Sequence, residues 1–164
     1  IRLSLVGSEM CIRDSSYAKR DFVSLISFRD TSAEILLPPT RSLVQTKKRL
    51  GSLMAGGSTP LATGLNVGIT LAQNCKRAGK MPSLAILTDG KANIDLEGLP
   101  NREKALSDAV LVGAVGKKLD MKSVFIDCGK RPNKNLTEIA VSMGANYVSL
   151  PRTNAVKLLS LIHI

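Results

Sequence analysis

Aromatic residues are scarce in this chain: among 164 residues there is no Trp, and there are two Tyr and three Phe. This composition disfavours a nucleic-acid platform that stacks bases on interleaved aromatic side chains. No apolar run approaches the roughly 18 residues that a membrane-spanning helix needs, so we expect no membrane span. The hydrophobic core must therefore be mainly aliphatic.

Histidine and cysteine are too few or too scattered for the commoner catalytic and metal sites. The only histidine is His163, which argues against a His-based catalytic site and against a His-rich metal site. Cys11, Cys75 and Cys128 are odd in number and far apart, without the spacing of metal ligands. We therefore expect reduced, buried thiols in a cytoplasmic protein.

Acidic residues are outnumbered by basic ones, with 13 Asp and Glu against 23 Lys and Arg and a formal net charge of +10. Such a chain is attracted to an acidic partner, which can be a nucleic acid, an anionic membrane surface or an acidic protein. Charge alone does not choose among these three.

The two ends of the chain differ in character from its middle. Residues 1–15 (IRLSLVGSEMCIRDS) and 159–164 (LSLIHI) resemble peptides that arise when sequencing-adapter DNA is translated. A signal peptide is the alternative for the first segment, but charged residues interrupt its apolar stretch. We therefore predict one truncated domain at residues 16–158, between two artefactual ends.

The middle of the chain alternates predicted strands and helices. Period-two patterns at residues 22–28 and 33–37 predict an antiparallel hairpin that Pro38-Pro39 ends. The apolar run at residues 83–88 predicts a strand buried on both faces, which is typical of a parallel sheet. The remaining patterns predict a helix capped by Thr40, helices near 61–75, 102–119 and 135–143, and strands at 123–127 and 147–150. This order predicts an α/β fold with a doubly wound, mostly parallel sheet and one antiparallel edge strand.

Two loops of the predicted sheet carry groups that suit a metal ion. Residues 56–61 precede a helix, and residues 88–93 follow the most apolar strand. Ligands of an open parallel sheet bind beyond the carboxyl ends of its strands, where such loops converge. The hydroxyl of Thr59 and the carboxylate of Asp89 are hard oxygen ligands of the kind that Mg²⁺ accepts.

Each of these features also has an alternative interpretation. Thr59 can cap the helix that follows it, and Asp89-Gly90 is a common turn dipeptide. The glycine-rich loop can cradle a phosphate, but it lacks the Gly-Lys-Ser/Thr ending of a P-loop and the G-x-G-x-x-G of a dinucleotide site. Taken together, the two loops favour a metal site.

Several motifs in the middle of the chain point to one family. They are FR at residues 28–29, ILLPPTRSL at 35–43, GGSTPLA at 56–62, LTDGKANI at 87–94 and MGA at 143–145. With these motifs the chain resembles, over residues 16–160, the von Willebrand factor A (integrin I) domain at the carboxyl end of the magnesium chelatase D subunit. The short connection before Asp120 and the Arg131-Pro132 pair are similar to the bacteriochlorophyll-type enzymes.

The resemblance implies a metal-ion-dependent adhesion site, in which a D-x-S-x-S strand, a later Thr and a later Asp hold one divalent cation that binds a partner's carboxylate. Thr59 matches the threonine of this set and Asp89 the aspartate. The D-x-S-x-S strand is missing: Asp14-Ser15-Ser16 resembles its first half, but Ala18 stands where the second serine belongs. We therefore expect an incomplete Mg²⁺ site, and we expect the alternating residues 1–6 to occupy the position of the lost first strand.

The resemblance also implies a function. In the family, the D subunit joins an ATPase I subunit, and their complex drives Mg²⁺ insertion into protoporphyrin IX by the H subunit. We expect this chain to be a docking module without catalytic residues of its own, which contacts the I and H subunits or another acidic or carboxylate-bearing protein surface. The alternative is a stand-alone von Willebrand factor A adaptor or a cobalt chelatase-type subunit. A nucleotide-dependent enzyme and a nucleic-acid-binding protein are the weaker hypotheses.

Overall fold

A computed structural model describes residues 2–6, 21–51, 57–88 and 91–149 of the chain. The strands are β1 (Arg2–Val6), β2 (Val23–Arg29), β3 (Ser32–Thr40), β4 (Ser83–Thr88), β5 (Lys122–Asp127) and β6 (Asn146–Ser149). The helices are α1 (Leu43–Gly51), α2 (Leu61–Arg77), α3 (Arg102–Lys117) and α4 (Lys134–Met143).

The six strands form one sheet in the order β3-β2-β1-β4-β5-β6. Five of them run parallel to their neighbours, whereas β3 pairs antiparallel with β2 at one edge. The predicted α/β fold, with a mostly parallel sheet and one antiparallel edge strand, is thereby confirmed. Strand β1 lies between β2 and β4, which is the position predicted for residues 1–6.

The antiparallel edge is longer than predicted. Strand β3 continues through Pro38 and Pro39 to Thr40, which pairs with Val23. The prediction that the two prolines end the strand is wrong. An edge strand has one side without a sheet partner, and a proline whose nitrogen faces that side removes no hydrogen bond of the sheet. The ladder accommodates them with an irregular register between Val23 and Leu25.

The ends of the helices follow local capping chemistry. The prediction that Thr40 caps α1 is wrong, since the Ser42 hydroxyl accepts a hydrogen bond from the Gln45 N–H at 3.3 Å. Gly79 follows the end of α2 in the left-handed backbone conformation, with φ of 72°, as expected for a glycine that stops a helix. No helix in the described ranges combines the length and the apolar character needed to cross a membrane.

Apolar side chains alternate between two clusters on the two faces of the sheet. Helices α2, α3 and α4 pack on one face, against a row of strand residues: Ile26, Phe28, Leu84, Ile86 and Phe125. The other face carries a smaller cluster: Leu25, Leu37, Leu87 and Ile126. The core is therefore mainly aliphatic, as the composition requires. Cys75 is buried within the larger cluster as expected, whereas Cys128 is half-buried against the smaller one and Cys11 lies outside the described residues.

Helix α2 approaches strand β2 closely at Gly64. A Cβ atom at this position would lie 2.7 to 2.9 Å from three atoms of the Phe28 side chain. Phe28 is itself buried, so its ring has little room to move aside. Glycine therefore permits the contact that holds the start of α2, and the loop before it, against the sheet.

We expect Gly64→Ala to lower the free energy of unfolding by roughly 1–3 kcal/mol, because the added methyl group overlaps the Phe28 ring. Urea denaturation measures this change. Asn66→Ala is the matched control, since Asn66 is exposed on the same helix and alanine has the higher helix propensity. Equal stability of the two variants would contradict the packing argument.

Candidate metal and docking site

The carboxyl ends of β2, β4 and β5 lie at one edge of the sheet, because these strands run in the same direction. Asp30 follows β2, Thr88 ends β4 and Asp127 ends β5. The loop before α2 reaches the same edge, where the Asp30 N–H donates to the Ser58 carbonyl at 3.0 Å. Thr59 therefore lies at the edge predicted from the sequence.

Gly57 lets this loop pass directly against the turn after β2. Its φ of 99° is in the left-handed region, and a Cβ there would lie 2.6 Å from Oδ1 of Asp30 and 2.9 Å from Cγ of Arg29. Arg29 and Asp30 are joined by an ion pair at 3.1 Å. A larger residue at position 57 would strain the backbone and displace this pair.

The backbone of Thr59 is held by Asn93. The Thr59 N–H donates to Oδ1 of Asn93 at 2.7 Å, and the Thr59 carbonyl accepts the Asn93 N–H at 3.3 Å. Helix α2 begins without a hydrogen bond from a capping side chain. The alternative that Thr59 caps this helix is therefore wrong.

Asp89, the second predicted ligand, lies outside the described residues, and so does the partial D-x-S-x-S match at residues 14–18. Thr88, which precedes Asp89, is buried, and the Thr88 carbonyl accepts the Cys128 N–H at 2.8 Å. Within the described ranges, no group of three or more His, Cys, Asp and Glu residues could hold a metal ion. The described edge thus supplies Thr59, whose hydroxyl is a hard donor that suits Mg²⁺.

Asp127 is a buried carboxylate that the sequence analysis missed. It is 2% exposed, and its oxygens accept the N–H groups of Gly129 at 2.8 Å and Asn133 at 3.0 Å and the hydroxyl of Tyr147 at 2.6 Å. Burial, together with the hydrogen bond to Asp127, raises the pKa of Tyr147. Since both carboxylate oxygens are engaged, Asp127 fixes the β5–α4 connection and is not proposed as a metal ligand. A carboxylate at the end of an apolar strand is the signal that could have identified it.

Asp95 holds the loop between the candidate site and α3, and it was also missed. Its Oδ1 accepts the N–H groups of Glu97 and Leu99, each at 2.9 Å, and its Oδ2 lies 3.5 Å from Nζ of Lys104. The hydrogen bond from Leu99, helped by the charge of Lys104, lowers the pKa of the Asp95 carboxyl despite its burial. The D-x-x-G pattern of a turn, Asp95 to Gly98, was its only sequence signal.

Comparison with known proteins gives sequence relatives but no match to a family model. The chain is 44% identical over 152 residues to the magnesium-chelatase 60 kDa subunit of Rhodobacter capsulatus and 43% identical to that of Cereibacter sphaeroides, with 93% of the chain covered in each case. It is 32% identical, over 91% of its length, to the magnesium-chelatase 67 kDa subunit of Chlorobaculum tepidum. The chain spans about a quarter of the length of these relatives, 26% or 27%.

Solved structures share the fold. The SpRpn10 VWA domain matches with a TM-score of 0.63 and 13% identity, covering 92% of this chain and 86% of that one. The vWF domain of the type V pili tip protein Mfa5 from Porphyromonas gingivalis matches with a TM-score of 0.61 and 10% identity, covering 99% and 94%. The chain is a von Willebrand factor A domain related to the magnesium-chelatase subunits. The resemblance inferred from its motifs is thereby confirmed.

Polar residues at the carboxyl edge of this von Willebrand factor A domain differ in how far they are buried. Asp95 and Asp127 are buried, and their oxygens are occupied by internal hydrogen bonds. Thr59 is half-buried and belongs to a loop whose backbone is held by Asn93. The buried carboxylates therefore stabilise the loops of this edge.

We expect Asp95→Asn to lower the melting temperature at pH 7. We also expect the melting temperature of this variant to fall less on acidification than that of the wild type. The pKa of the Asp95 carboxyl is lower in the folded chain than its ordinary value of 3.8. Its contribution to stability is thus complete above the unfolded pKa and is lost as the pH falls through the folded pKa.

Thermal unfolding followed from pH 7 to pH 2 measures the effect of Asp95→Asn. Glu97→Gln is the matched control, because Glu97 also pairs with Lys104, at 2.8 Å, but is largely exposed. A pH profile of Asp95→Asn that runs parallel to that of the wild type would contradict the role of the Asp95 carboxylate.

Proposed function

We propose that this domain is a protein-docking module of a magnesium chelatase, in which a divalent cation at the carboxyl edge of the sheet binds a carboxylate of a partner. The observation that carries the proposal is the pair of hydrogen bonds between Thr59 and Asn93. They join the loop before α2 to the loop after β4, which are the two loops that contain the proposed ligands. Relatedness to magnesium-chelatase subunits supports the assignment to a chelatase.

Mg²⁺ is the proposed cofactor of the intact domain, with Thr59 and Asp89 as its proposed ligands. A hydroxyl and a carboxylate are hard oxygen donors, and Mg²⁺ in proteins commonly binds through one or two carboxylates and retains several waters. When bound, the cation would offer an exchangeable coordination position to a partner's carboxylate. The role of this chain is to orient the two loops, through the bonds of Asn93 and the close packing at Gly64.

The proposed partners are the I and H subunits of the chelatase, and the proposed process is ATP-driven insertion of Mg²⁺ into protoporphyrin IX during (bacterio)chlorophyll biosynthesis in the cytoplasm. We assign no catalytic residue to the domain, since its buried carboxylates Asp95 and Asp127 are used in loop structure. A stand-alone adaptor or a cobalt chelatase-type subunit is the alternative. It has less support, because the relatives described above are magnesium-chelatase subunits.

We expect Asp89→Asn, made in the full-length chelatase subunit, to abolish metal-dependent docking and to reduce Mg²⁺ insertion while sparing ATP hydrolysis by the I subunit. Asparagine fills the same turn positions as aspartate but lacks the charge that holds a divalent ion. Subunit pull-down and chelatase assays measure the two effects. Thr59→Ala should act in the same direction more mildly, because a neutral hydroxyl contributes less than a carboxylate.

Glu138→Gln is the matched control for Asp89→Asn. It also replaces a carboxylate by an amide, and Glu138 is exposed in the middle of α4, away from the loops at the carboxyl edge. Docking and insertion should both stay at the wild-type level in this control. Wild-type behaviour of Asp89→Asn in both assays would end the metal-site proposal and leave Asp89 as a turn residue.

We also expect the 164-residue chain to bind Mg²⁺ weakly or not at all, because two of the five ligands implied by the family, Thr59 and Asp89, match its sequence. Mg²⁺ loses its hydration waters only at a large energetic cost, and two protein ligands do not compensate for that cost. Titration calorimetry of the chain with MgCl₂ measures the affinity. Tight one-to-one binding would contradict this expectation and would direct mutagenesis to Asp14 and Ser16.

A further inference from the structure

Basic residues are concentrated at the amino-terminal edge of the sheet, opposite the candidate metal site. Helices α2 and α3 end a few residues before β4 and β5 begin, so the basic last turns of these helices lie at this edge. Among the residues whose side chains the structure describes, seven cations lie at this edge: Arg41, Lys76, Arg77, Lys80, Lys117, Lys118 and Lys122. Among the described residues, two carboxylates, Asp21 and Asp120, lie at the same edge.

We call the surface that carries these seven cations the basic edge, and contacts between neighbouring elements hold part of it together. Arg41 and Lys80 both lie over the Phe22 ring, 4.3 Å and 4.1 Å from its centroid. Lys76 donates a hydrogen bond from Nζ to the Leu119 carbonyl and so links the end of α2 to the connection after α3. The ends of β3 and α2 and the beginnings of β2 and β4 thus meet at the basic edge.

The seven cations have no ion-pair partner in the part of the chain that the structure describes. The ion pairs found there join Arg29 to Asp30, and Lys104 to Asp95 and Glu97. These residues lie at the end of β2, on loops at the carboxyl edge or in the first turn of α3. The positive charge of the basic edge is therefore not neutralised within the described domain, and an anionic partner would relieve its self-repulsion.

Helix dipoles explain part of this arrangement but not all of it. Cations in the last turn of a helix are stabilised by its negative end, which accounts for Lys76, Arg77 and Lys117. Arg41 and Lys122, in contrast, are not in the last turn of a helix: Lys122 begins β5, and Arg41 lies two residues before α1, where the helix dipole disfavours a cation. Their positions are better explained by attraction to a partner.

We propose that the basic edge is a second docking surface, which binds an acidic polypeptide segment. A polypeptide fits better than a nucleic acid, because the Phe22 ring is already covered by two cations and is not free to stack on a base. Met81 follows Lys80 and is 85% exposed, so it offers an apolar contact to side chains between the carboxylates. This surface is independent of the proposed metal site.

Binding of a fluorescein-labelled polyglutamate peptide to the 164-residue chain tests the proposal. The variant Arg77→Glu/Lys118→Glu/Lys122→Glu reverses three exposed cations of the basic edge. We expect it to lower the affinity by at least about tenfold, and we expect added salt to weaken binding to the wild-type chain. Fluorescence anisotropy measures both effects.

The matched control is Lys130→Glu/Arg131→Glu/Lys134→Glu, which makes the same change in net charge at the carboxyl edge, where all three residues are exposed. We expect this control to change the affinity by less than about threefold. An equal loss in the two variants would show that net charge, rather than the basic edge, attracts the peptide. Tighter binding to duplex DNA or to phosphatidylserine vesicles than to the peptide, at the same salt concentration, would also overturn the proposal.

A neutral variant, Arg77→Gln/Lys118→Gln/Lys122→Gln, keeps the test decisive if the charge-reversed chain does not fold. Circular dichroism establishes the fold of each variant. We expect the neutral variant to fold, because these side chains are exposed, and to lose affinity by a smaller factor than charge reversal does. An affinity equal to that of the wild-type chain would refute a role of the basic edge.

Discussion

Parallel pairing of the strands is the constraint on which both ends of this domain depend. Because β2, β4 and β5 run in one direction, the described residues that follow them lie at one edge of the sheet. The basic last turns of α2 and α3 lie at the opposite edge, where β4 and β5 begin. The strand direction therefore places the proposed metal-dependent surface and the proposed acidic-peptide surface at opposite ends of the strands.

Internal hydrogen bonds give the carboxyl edge its definite shape. Asp127 binds two backbone N–H groups and the Tyr147 hydroxyl, and Asp95 closes the turn before α3. Buried carboxylates are costly unless they are satisfied in this way, so their hydrogen bonds also specify the loop conformations. The loop that contains Thr59 is in turn joined to Asn93. A docking surface held by such bonds loses little conformational entropy when a partner binds.

Much of the fold could be predicted from the sequence, because its patterns are local. The apolar run of β4 and the alternation in β2 depend on neighbouring residues alone, and both strands were predicted to within one residue at each end. The extension of β3 through Pro38-Pro39 depends on its place at the sheet edge, which local pattern does not report. The bond between Tyr147 and Asp127 joins residues 20 positions apart. Asp95 and Asp127 were missed for this reason, since burial and distant donors define their roles, whereas motifs directed attention to Thr59 and Asp89.

The central claim is that a divalent cation mediates docking at the carboxyl edge. Its most direct test is surface plasmon resonance between the full-length chelatase subunit and the I subunit, without nucleotide, in buffer containing either MgCl₂ or EDTA. We predict that binding requires Mg²⁺ and that free acetate weakens it, because acetate competes with the partner's carboxylate for the cation. Equal binding in MgCl₂ and in EDTA would contradict metal-dependent docking.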